Sequence, residues 1–125
     1  TIIVSFAQSV RRKDLLIKEQ TTDDLTGLPN RTKLLQDIKS LRSPQLAIID
    51  INNFKTINNF YGTETGDAVL RATSQRITEK LDDMAMAYRI GSDHFALLAT
   101  QQLGLEPFKK RVKEILEHIK QTQFS

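Results

Sequence analysis

Met84-Ala85-Met86-Ala87-Tyr88-Arg89-Ile90-Gly91-Ser92-Asp93-His94-Phe95-Ala96-Leu97-Leu98-Ala99-Thr100 is the stretch that decides the fold. Two short apolar runs, 84–90 and 95–100, flank the break Gly91-Ser92-Asp93-His94. Runs of that length bounded by turn formers predict two strands. The short break predicts a hairpin, with Gly91 supplying the turn. Upstream, Gln45-Leu46-Ala47-Ile48-Ile49-Asp50-Ile51 is a third short apolar run rich in β-branched residues, and it predicts a buried strand with an aspartate near its end.

Helical patterns fill the spaces between these strands. Phe54–Phe60 predicts a short helix stopped by Gly62. Residues 65–82 predict a longer one with Val69, Ala72 or Thr73, Ile77 and Leu81 inward. Gly66 and Asp67 are expected in its first turn, where an acid suits the helix dipole. Ahead of the first strand, Thr21 to Asn30 is dense in turn formers and reads as a loop. Asn30 is a suitable cap for a helix over Arg31–Leu41, whose apolar face is Leu34, Leu35, Ile38 and Leu41. Ser43-Pro44 ends it. Beyond the hairpin, Glu106–Gln121 is amphipathic through Phe108, Val112, Ile115, Leu116 and Ile119. This order predicts an α/β (α+β) sandwich with a mixed or antiparallel sheet.

Residues 1–21 read as a linker or signalling helix, and residues 22–125 as the domain proper. Ile3, Phe6, Val10 and Ile17 form a heptad-like stripe suited to pairing with a second copy or to packing on the domain itself. Thr1–Ala7 is apolar and precedes Arg11-Arg12-Lys13, a pattern shared by a linker helix and by the cytoplasmic end of a membrane helix.

Composition narrows the function classes. The chain has 125 residues, which suits one domain. It is 39% hydrophobic and 26% charged, enough for a core. Eighteen basic residues against 15 acidic ones give a net charge of +3, too small an excess to indicate nucleic-acid binding. With no cysteine, a disulfide scaffold, a thiolate metal site and a cysteine nucleophile are excluded.

Two acids are placed to do chemistry. Asp50 ends the first strand and Asp93 sits at the hairpin tip. If the first strand lies beside the hairpin, their carboxylates converge. Paired carboxylates hold Mg²⁺ against a triphosphate, the phosphate oxygens completing the shell. Strand-end and turn aspartates are also common as solvated caps. His118, on the polar side of the last helix, reads as a solvated histidine.

Four blocks sharpen this reading. Asp24-Leu25-Thr26-Gly27-Leu28-Pro29-Asn30-Arg31 resembles the entry signature of the GGDEF family, the diguanylate cyclase domains. Asp50-Ile51-Asn52-Asn53-Phe54-Lys55 with Ile57-Asn58-Asn59, then Tyr61-Gly62-Thr63 with Gly66-Asp67 and Val69-Leu70, resemble its next two motifs. Arg89-Ile90-Gly91-Ser92-Asp93-His94-Phe95 stands at the place of the name-giving signature. The resemblance implies a nucleotidyl-cyclase or polymerase-palm sheet with flanking helices, and a family that joins two GTP molecules into cyclic di-GMP across a homodimer.

Carried over residue by residue, the resemblance implies metal ligation by Asp50, the Ile51 backbone carbonyl and Asp93, with Mg²⁺ as the ion. It implies a phosphate cradle at Asn53, Phe54 and Lys55 with Gly91 and Ser92, where exposed N–H groups at a helix start suit anions. It implies guanine reading by Asn58 and Asp67.

The departures are as informative. Ser92 replaces the second signature glycine, where a ligand comes close to bare backbone. His94 replaces the catalytic glutamate and removes one carboxylate from a site meant to hold divalent charge. Asn52, Asn59 and Thr63 replace an Asp, an Asp and a His. Asp82 and Ala85 stand where the family's Arg-x-x-Asp product-inhibition site would be. The resemblance also implies that the family's domain continues past 106–121, so the chain is expected to hold an incomplete domain. The expectation is a degenerate regulatory domain that binds GTP, dimerises and is linked to an upstream sensor and an EAL phosphodiesterase domain in the cytoplasm. An active cyclase and an interaction module without nucleotide are the alternatives.

Overall fold

In the computed structural model, which describes residues 21–100 and 104–121, three strands form one antiparallel sheet. They are β1 (Leu46–Asp50), β2 (Ala85–Arg89) and β3 (His94–Ala99), in the order β1-β3-β2. The helices are α1 (Arg31–Lys39), α2 (Phe54–Tyr61), α3 (Thr63–Lys80) and α4 (Leu105–Gln121). Of the two sheet types left open by the sequence, the antiparallel one is present.

The central strand β3 is buried from Phe95 to Ala99, which is why it reads as a continuous apolar run. Its two faces feed two cores. Phe95, Leu97 and Ala99 join Ala85, Ala87, Ile49, Phe54, Leu70, Ile77, Phe108 and Ile115 under α3 and α4. Ala96 and Leu98 join Tyr88 and Leu34 under α1. Ile77 and Ile115, both wholly buried, each contribute about 1.5–3 kcal/mol by leaving water.

Local signals explain the helix ends. The Asn30 side chain accepts from the Lys33 N–H at 3.2 Å and caps α1. Gly62 separates α2 from α3 with φ at +91°, a conformation that favours glycine. α2 and α3 therefore form a tight helical hairpin beside the end of β1.

Several expectations need correction. Leu35 is 49% exposed, so α1 faces the sheet through Leu34, Ile38 and Leu41 without it. α3 begins at Thr63, which moves Gly66 and Asp67 to its second turn and leaves Glu64 as the first-turn acid. Gly91 is not among the positive-φ glycines, so backbone freedom is not what the hairpin needs from it. His118 is largely enclosed rather than solvated: its Nε2 lies 2.9 Å from Glu79 Oε2 and ties α4 to α3. The expected helix over residues 2–20 lies outside the described residues.

No helix among the described residues is long and apolar enough to cross a membrane.

Candidate functional site

The register of the sheet builds the site. Asp50 pairs with His94 across β1 and β3, and the Ile51 N–H donates to the Asp93 carbonyl at 3.0 Å, extending the ladder one step. The first strand thus lies beside the hairpin, the condition for convergence of the two acids. One carboxylate oxygen each from Asp50 and Asp93 and one ring nitrogen of His94 lie within 4.8 Å of one another.

His94 occupies the ground between the carboxylates. Its Nδ1 stands 2.7 Å from Asp93 Oδ1 and its Nε2 3.5 Å from Asp50 Oδ2. Gly91 explains the fit: a Cβ there would come within 3.3 Å of His94 Nδ1. A side chain at Gly91 would oblige the imidazole to shift by a few tenths of an ångström.

This arrangement tests the expected magnesium. Two carboxylates satisfy the usual protein share of a Mg²⁺ site whose other oxygens come from phosphate. The imidazole does not fit an ion that takes oxygen alone, and it lies across the acids such an ion would use.

The turn carrying Asp93 is braced from behind. Arg89 donates through Nε to the Gly91 carbonyl at 3.2 Å and through Nη2 to the Ser92 carbonyl at 3.1 Å. Its Nη1 reaches Asp23 at 2.9 Å. Asp23 also accepts from the Thr26 N–H at 2.9 Å and the Thr26 hydroxyl at 2.7 Å. Burial opposes ionisation of Asp23, but the Thr26 bonds and the Arg89 guanidinium outweigh it and hold the carboxyl below its ordinary range. The entry loop is thereby fastened to the signature turn. Sequence reasoning stopped at Asp24, which is exposed, and missed Asp23. The Asp23-x-x-Thr26 spacing within a turn-rich loop was the available signal.

The remaining candidates gather on the α2–α3 pair. Asn53 precedes α2 in the left-handed region at φ +61° and makes no side-chain cap, so the first N–H groups of α2 receive no bond from it. Phe54 is buried in the core, which restricts its part to its backbone, while Lys55 is exposed. Asn58 lies against Gly66 so closely that a Cβ on Gly66 would fall 1.7 Å from Asn58 Oδ1. That oxygen is buried without a hydrogen-bond partner. Asp67 follows Gly66 on α3 and is half-buried. The structure thus brings Asp50, Ile51, Gly91, Ser92, Asp93 and His94 together at the strand ends, with Asn58 and Asp67 as a second group.

The GGDEF family model, described as diguanylate cyclase, GGDEF domain, matches residues 20–124. Diguanylate cyclase VdcA of Vibrio cholerae is 36% identical over 96 residues, covering 71% of this chain and 28% of that protein. Among solved structures, the coiled coil and GGDEF domain of DgcB from Caulobacter crescentus in complex with c-di-GMP superposes with a TM-score of 0.72 at 26% identity, covering 91% of this chain and 65% of that one. The Vibrio cholerae LapD S helix-GGDEF-EAL structure, bound to c-di-GMP, superposes at 0.78 with 17% identity, covering 94% and 30%, and supports the fold alone. The chain spans about a third of the length of the curated relatives it matches.

Proposed function

This chain belongs to the GGDEF family of diguanylate cyclase domains, and on that premise we propose that it is a regulatory member, binding GTP without joining two of them. The observation that carries this reading is the imidazole of His94 lying across Asp50 and Asp93, at 3.5 and 2.7 Å. Phosphoryl transfer depends on cations neutralising charge that spreads over the reacting phosphate. Here the third carboxylate is replaced, and the two that remain are engaged by a ring.

Nucleotide binding draws on other residues. The N-terminus of α2, which receives no side-chain cap from Asn53, offers N–H donors to phosphate oxygens. The oxygen of Asn58 is turned into the helix pair, which leaves its amide NH₂ as the end for a ligand. That donor suits O6 of guanine, and the Asp67 carboxylate suits the N1–H and N2–H donors of the same edge. An unpartnered buried oxygen costs about 1–3 kcal/mol, the kind of cost found where a residue is held for binding. Asp50 and Asp93 are the residues that would hold a nucleotide's Mg²⁺, and His94 lying across them opposes that role.

In this reading the domain works as a homodimer in the cytoplasm, covalently joined to an upstream sensor and an EAL phosphodiesterase domain. Calorimetry with GTP and ATP tests it. GTP is expected to bind at least about tenfold more tightly than ATP, from one or two base-edge bonds worth about 1–3 kcal/mol. Asp67→Ala and Asn58→Ala are expected to erase that preference. Equal losses for both nucleotides would contradict the guanine assignment, and absence of heat would leave an interaction module.

A further inference from the structure

We draw no further inference here: the strongest candidate, the open edge of β1 with its exposed Leu46 and Ile48 and the apolar groove that Ala47 forms with Phe108 and Val112 of α4, carries nothing because nothing in the structure shows what covers it.

Discussion

Replacing Gly66 by alanine should damage the molecule only because Asn58 is there. Gly66 lies inside α3, where alanine would otherwise be favoured by about 1 kcal/mol. Its added Cβ would meet Asn58 Oδ1 at 1.7 Å, Asn58 Cγ at 2.8 Å and Phe54 Cζ at 3.3 Å. An ordinary contact is about 3.5 Å, so the amide must retreat by roughly 2 Å. Overpacking of that kind costs about 1–3 kcal/mol, which leaves Gly66→Ala destabilised by up to about 2 kcal/mol. Asn58→Ala removes both the clashing group and an unpartnered buried oxygen. The double variant should then recover the helix-forming gain and exceed the sum of the single effects by about 1–3 kcal/mol. Urea denaturation of the four proteins measures this coupling. Additivity within about 0.5 kcal/mol, or a stabilised Gly66→Ala, would refute the close approach of α2 and α3 on which the proposed guanine site rests.

Two further outcomes follow from the scaffold around the site. Asp23→Asn should cost about 2 kcal/mol at neutral pH, because Arg89 and Thr26 lose a charged acceptor. The folded-state carboxyl ionises below its ordinary 3.8, so its stabilisation is present above that value and fades as pH falls through the folded pKa. The gap between wild type and Asp23→Asn in thermal melts should therefore narrow below about pH 4, and a gap that widens there would contradict the pairing. Tyr88→Phe should cost about 1 kcal/mol in the same melts, since the buried ring is kept and only its 2.6 Å bond to Asp37 is lost. A neutral substitution would show that the bond is not made in solution.

The sheet and its helices were legible because their apolar periods were clean. Phe95 to Ala99 reads as a strand, and Phe108, Val112 and Ile115 as one helical face. The run at 45–51, expected to be a buried strand, is instead an edge strand with Leu46 and Ile48 exposed, because a short apolar run does not tell an edge from a centre. Convergence of Asp50 and Asp93 was conditional in the sequence and became geometry only through the β1–β3 register. What could not be read depended on contacts distant in the chain. Asp23 meets Arg89 across 66 positions, and His118 meets Glu79 across 39. No local pattern reports such pairs. Gly91 is a turn former in the sequence, yet its backbone does not use the left-handed freedom of glycine, and its nearest side-chain neighbour is His94. Leu35 fits the helical period, yet α1 meets the sheet along a narrower stripe than that period allows.

The central claim is that an imidazole across Asp50 and Asp93 leaves a GGDEF domain that binds GTP without converting it. Incubating the full-length protein with GTP and Mg²⁺, and assaying cyclic di-GMP by chromatography, tests it most directly. No product above background is predicted from a protein that binds GTP under the same conditions. Product formed by the wild type and abolished in Asp93→Ala would contradict it.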